Sequence, residues 1–214
     1  MSDFDAHPVA ENPEPVAEAA GRKRPKPGER RIQILQALAA MLEQPDGERI
    51  TTAALAARLQ VSEAALYRHF ASKAQMYEGL IEFIEQSVFT LINQITAAGA
   101  GDGAQQVARI MAMLLQFGQK NPGMVRVMVG DALVYENERL LQRMNLFFDK
   151  IEATLRRVLY QVETPDVSQT PTVDAQVQAS LLTAFAVGRL QRFARSGFKR
   201  LPSEHLDACL ARVL

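Results

Sequence analysis

Apolar residues recur at three- and four-residue spacing along most of the chain from residue 29 onward, and no segment shows the strict alternation of a half-buried strand. A first helix is predicted near 29–44, with Ile32, Leu35, Leu38, Ala39 and Leu42 on its apolar face, ending at the turn signal Pro45-Asp46-Gly47. Two short helical patterns follow on either side of Gln60-Val61-Ser62. Leu55, Ala56 and Leu59 line the first; Leu66 and Phe70 line the second. A long fourth helix is expected near 73–97, striped by Tyr77, Leu80, Ile81, Ile84, Val88, Leu91, Ile92 and Ile95. Gly99 to Gly103 interrupts the pattern. A fifth helix, rich in Met and Leu (Ile110, Met111, Met113, Leu114, Phe117), then runs to Asn121-Pro122-Gly123, which starts a short sixth. The seventh is placed at roughly 136–161, a loop at 163–173, the eighth at about 174–196 and the ninth at about 203–214. The expectation is an all-α chain: a three-helix unit over 29–73, then a six-helix bundle over 74–214, preceded by a tail over 1–28.

Polar residues fall where helices need caps. Thr51 or Thr52 can cap the second helix and Ser62 the third, Ser72 with Gln75 forms a capping box, and Asp102 with Gln105 opens the fifth helix. Two short helices meeting at a tight turn are the layout of a helix-turn-helix, whose second helix enters the DNA major groove. With Leu66 and Phe70 turned inward, the opposite side presents Ala64, Ala65 and Arg68. Small alanines allow close approach, and their methyls can meet a thymine methyl. Arg68 can donate two hydrogen bonds to guanine or grip a phosphate. Tyr67, on the flank, His69 and Lys73 are better placed for the DNA backbone; Thr51 and Thr52 can offer hydroxyl and N–H groups to a phosphate. Tyr67 could be half core, His69 equally a surface or capping residue, and Lys73 only the start of the next helix.

Net charge is zero, with 24 basic and 24 acidic residues, but the distribution is uneven. Residues 1–21 hold five acids and no Lys or Arg; residues 22–73 hold ten Lys and Arg against five acids; residues 74–214 are balanced. The basic excess therefore surrounds the helix-turn-helix, where phosphates would be met. The tail contains five prolines, too few bulky apolar groups to repay ordering, and a basic end, Arg22-Lys23-Arg24-Pro25-Lys26, that could reach the duplex or serve only as a solvated linker. No apolar run is long enough for a membrane helix, and the N-terminus lacks the apolar core of a signal peptide. Cys209 is the single cysteine, which fits a reducing cytoplasm. His7, His69 and His205 are far apart, and no metal-ligand spacing, phosphate loop or nucleophile motif occurs, so neither an enzyme nor a cofactor is expected.

The segment VSEAALYRHFASK resembles the helix-turn-helix signature of TetR-type regulators, and the resemblance covers nearly all of residues 29–214. Gln60 stands where most members carry Gly in the turn, and Ala64-Ala65 where they commonly carry Gly-Thr. The first departure costs roughly 1 kcal/mol if that residue takes positive φ; the second implies a different base preference. A longer match, RITTAALAARLQVSEAALYRHFASK with MYEGLIEFIEQS and FGQKNPGM, is similar to the nucleoid occlusion factors of that family. The likeness implies a cytoplasmic, nucleoid-associated homodimer that binds palindromic sites in double-stranded DNA and there antagonises FtsZ, the tubulin-like division protein. It also implies that the FtsZ tail docks near Phe83, Lys120 and Asn121.

The residues themselves leave that docking open. Phe83 lies about 120° off the main stripe of the fourth helix, so it needs a second neighbour, either another helix of the chain or a partner. Asn121 precedes Pro122 and reads first as a turn former. The eighth helix is apolar on two sides: Val177, Leu181, Ala184, Phe185 and Gly188 on one, Ala179, Leu182, Ala186, Leu190 and Phe193 on the other. Two stripes predict burial between its own bundle and a second copy, giving a two-fold dimer through helices near 174–196 and 203–214, with Leu206, Leu210 and Val213 contributing. The alternative function is a ligand-responsive TetR-type repressor. The bulky inward positions Met111, Met113, Leu114, Phe117, Phe147 and Phe148 favour a filled core over a pocket, although Met-rich interiors can also adapt to ligands.

Overall fold

A computed structural model describes residues 28–44, 50–99, 102–160 and 171–214. The basic cluster of the tail, the Pro45-Asp46-Gly47 turn and most of the 163–173 loop lie outside the described residues. Those described are helical, with no strand among them: α1 Glu29–Leu42, α2 Thr52–Leu59, α3 Glu63–Tyr67, α4 Lys73–Ala97, α5 Gly103–Lys120, α6 Pro122–Met128, α7 Glu138–Tyr160, α8 Pro171–Arg195 and α9 Leu206–Leu210. The capping residues explain most starts. Thr51 accepts from the Ala54 N–H, Ser62 from Ala65, Ser72 from Gln75 and Asp102 from Gln105, each cap contributing about 1 kcal/mol. Gln75 Oε1 in turn accepts from the Ala71 N–H at 2.8 Å, one residue earlier than in the usual reciprocal box.

Four expectations are corrected. Ile32 is 55% exposed, while Ile34 is fully buried and leads the inward face of α1 with Leu38, Ala39 and Leu42. Ile32 sits about 160° round the helix from Ile34, so the two cannot share a face. A 3₁₀ turn at Asp131–Leu133 precedes α7, which starts only at Glu138, where Asn137 Oδ1 accepts from the Arg139 N–H. The eighth helix begins earlier than expected, with Pro171 at the first helical position, where a missing N–H costs nothing. The ninth is much shorter: it starts late because His205 adopts φ 53° and cannot lie within a right-handed helix, and it ends at Leu210.

Among the described residues one apolar core runs through both halves, from Leu55 and Leu66 through Tyr77, Ile81 and Ile84 to Met111, Leu114, Phe147 and Leu190. The α1 helix lies on both α4 and α6, and α6 also packs on α8, so α6 is the platform between the N-terminal unit and the bundle. That contact is very close: a Cβ on Gly123 would fall 2.9 Å from the Ala39 carbonyl carbon. Charged pairs join α4 to α7. Arg143 grips Glu85 with two hydrogen bonds, Nε to Oε1 at 3.2 Å and Nη2 to Oε2 at 2.6 Å, and Arg139 pairs with Glu78. The hydrogen bond to Glu85 raises the Arg143 pKa further, against the opposing effect of burial, so the guanidinium stays charged at any ordinary pH.

Candidate nucleic-acid interface

The turn between α2 and α3 is built as the motif requires. Gln60 takes the left-handed conformation (φ 55°, ψ 45°), and its N–H reaches the carbonyls of Ala56 and Ala57 while Val61 N–H reaches Ala56. A non-glycine residue thus accepts the strain anticipated at this position. Leu55, Ala56, Leu66 and Phe70 are buried beneath it and hold α3 against α2.

Above that base, α3 is shorter than its sequence pattern suggests. Helix ends at Tyr67, and Arg68 to Phe70 complete a turn in which His69 and Phe70 N–H groups both reach the Leu66 carbonyl. Ser62, Ala64, Tyr67 and Arg68 are exposed, Ala65 and His69 half-buried. Arg68 faces solvent, and among the described residues no carboxylate pairs with it. Tyr67 is 44% exposed rather than core. Its hydroxyl donates to Thr52 Oγ1 at 3.4 Å, and the Thr52 hydroxyl donates to Glu63 Oε2 at 2.5 Å. Thr51 is exposed and its hydroxyl serves as the α2 cap.

Three residues needed the structure to reveal their roles here. Arg31, on α1, lays its guanidinium 4.1 Å over the Phe70 ring and donates to the His69 carbonyl, pinning the exit of α3. Glu63 ties the start of α3 to the start of α2. Glu136, from the segment before α7, accepts from Lys73 Nζ at 2.5 Å, so the Lys73 ammonium is an ion-pair tie to the bundle in this structure. Burial and the nearby Glu136 carboxylate push the pKa of the Tyr77 hydroxyl, under the Lys73 ammonium, far above its ordinary value. No sequence signal links residue 136 to residue 73; Arg31 and Glu63 could have been suspected only as charges flanking the motif.

The other candidates are on the bundle. Phe83 is 47% exposed on α4, Lys120 is exposed at the end of α5, and Asn121 is half-buried with Nδ2 donating to the Phe117 carbonyl at 2.8 Å. The structure thus gives Asn121 a definite helix-ending task. The eighth helix has the two apolar sides expected. Ala179, Leu182, Ala186, Leu190 and Phe193 are buried, whereas Val177 (51%) and Leu181 (56%) are exposed. Leu206 and Leu210, expected at the subunit contact, are instead buried in this chain's own core. A small open pocket of about 40 Å³ lies where α8 ends, lined by Arg189, Arg192, Arg200, Leu201 and Glu204.

An exposed second helix on a capped, strained turn, carried by an all-helical bundle, defines a helix-turn-helix DNA-binding protein. Residues 34–80 match the profile of the tetR family of bacterial regulatory proteins, and residues 102–211 that of the SlmA-like, tetracyclin repressor-like C-terminal domain. The chain is similar to nucleoid occlusion factor SlmA of Idiomarina loihiensis, 51% identical over 84% of this chain and 90% of the relative. It is likewise 49% identical to SlmA of Shewanella sediminis, over 83% and 89% of the two chains, and 48% identical to SlmA of Vibrio cholerae, over 83% and 90%. In fold it resembles the FadR regulator of Bacillus subtilis, crystallised with stearoyl-CoA (TM-score 0.68, 12% identity, 85% and 96% coverage). A TetR-family regulator of Bordetella parapertussis is also similar (TM-score 0.66, 17% identity, 87% and 95% coverage). The chain belongs to the TetR family and, within it, to the SlmA group.

Proposed function

We propose that this protein is a nucleoid occlusion factor: a homodimer that binds palindromic sites in duplex DNA and, when bound there, antagonises FtsZ assembly over the nucleoid. The observation that carries the reading is about 50% identity to SlmA proteins over most of both chains, bundle included. The DNA step falls to α3, with Arg68 on a base edge or phosphate, Ala64 and Ala65 against the groove, and Ser62, Thr51 and His69 toward the backbone; Thr52 can offer its N–H there, while its hydroxyl and that of Tyr67 can join only by leaving the contacts that hold Glu63. Lys73 can join them only by leaving Glu136. The dimer forms on the exposed side of α8, where Val177, Leu181, Ala184 and Gly188 share one stripe. Two-fold pairing there sets the reading helices about 34 Å apart, one turn of duplex. FtsZ docking is assigned to the half of the bundle beside the helix-turn-helix, at Phe83 and Lys120, with Asn121 shaping the end of α5.

The test is sedimentation of FtsZ polymer with this protein, with and without its selected DNA. Polymer lost only when both are present supports the reading; unchanged polymer removes the division role and leaves DNA binding standing. The repressor alternative gains nothing from the core, where Met111, Leu114 and Phe147 are fully buried, or from the α8 pocket, far below the hundreds of Å³ a metabolite fills.

A further inference from the structure

We propose that Glu63 is a specificity-determining residue of the DNA interface, accepting a hydrogen bond from a cytosine amino group at one position of each half-site. The proposal rests on the DNA-binding reading above. A carboxylate on the first turn of the reading helix is costly beside a polyanion, and Glu63 is exposed. It is also held in place: Thr52 donates to Oε2, and Tyr67 donates to Thr52, so three side chains from α2 and α3 form one relay. Among the described residues nothing donates to Oε1, which leaves that oxygen for a donor on the ligand. An ionised carboxylate only accepts. In the major groove the donors are cytosine N4 and adenine N6, and the adenine group sits beside the acceptor N7, which repels a carboxylate. Cytosine offers the donor without that neighbour. Guanine and thymine present acceptors at the same depth and are rejected. The same charge weakens binding to every unmatched duplex, so Glu63 sharpens selectivity from both sides.

Glu63→Gln tests this, because the amide oxygen still accepts from Thr52 while the charge is gone and a donor is added. Duplexes selected from a random pool by the natural full-length chain should show cytosine at one position per half-site. Those selected by Glu63→Gln should shift there toward adenine, which glutamine reads with two hydrogen bonds. Affinity for a duplex lacking the motif should rise at least about fivefold at low salt. A role confined to bracing Thr52 and Tyr67 would leave the selected motif unchanged, and an identical motif from both proteins overturns the proposal alone. If the natural chain enriches no motif at all, the DNA reading itself fails and takes this inference with it.

Discussion

Replacing Gly123 with alanine should loosen the platform that carries the DNA-reading unit. The constraint is space, since α6 meets α1 where an added methyl would lie 2.9 Å from the Ala39 carbonyl carbon and closer still to its oxygen, with Glu43 Cγ at 3.2 Å. Carbon atoms in comfortable contact stand about 3.5–4.0 Å apart, so the helices must separate by something near 1 Å. Glu43 can swing aside; the Ala39 carbonyl is main chain within α1 and cannot. Overpacking typically costs about 1–3 kcal/mol, and a rigid neighbour places this site toward the upper end. For a chain of this size each kcal/mol lowers Tm by about 2–4 °C, so Gly123→Ala should melt about 5–10 °C below the natural protein by circular dichroism. An unchanged Tm for Gly123→Ala would refute the claim that α1 and α6 are locked by this contact.

Arg68→Ala should weaken binding to the selected duplex by about 1–3 kcal/mol; fluorescence anisotropy at fixed salt measures it, and natural affinity would mean α3 presents another side. Val177→Asp combined with Leu181→Asp should leave each chain folded and shift sedimentation equilibrium to monomer, since both side chains are about half exposed; a persistent dimer would move the interface off α8. The unfolded chain releases the Tyr77 proton as pH passes about 10, whereas the folded chain retains it, so this group's contribution to stability declines as pH rises above that value. Tyr77→Phe should therefore show a shallower alkaline loss of stability in denaturant titrations; an identical slope would show that Tyr77 does not drive it.

Helix order and most helix starts were legible because their causes are local. Thr51, Ser62, Ser72 and Asp102 act on N–H groups within three residues, so a short window contains the whole interaction. The two-sided pattern of α8 survived for a similar reason, each stripe being complete in itself. What failed depended on distant or backbone facts. Ile32 and Ile34 are alike in composition, and only the direction of α6 and α4 decides which one turns inward. The late start of α9 follows from the positive φ of His205, a backbone fact, and the burial of Leu206 and Leu210 in this chain's own core depends on packing that no local window contains. At the site, the exposed residues of α3 could be named from periodicity. The partners Arg31, Glu63 and Glu136 could not, because each acts across a gap in sequence that no repeat spans.

The grip of Glu136 on Lys73 also bears on how DNA affinity should respond to ionic strength. A cation ordinarily meets a phosphate by displacing counterions into bulk solvent, and the gain in their freedom makes binding fall steeply with salt. Lys73 arrives already neutralised by an internal anion, so a phosphate that recruits it performs an exchange of one oxyanion for another. That lysine then adds little to the slope of log affinity against log salt, and Glu136→Gln should steepen the slope by about one ion for each subunit engaged.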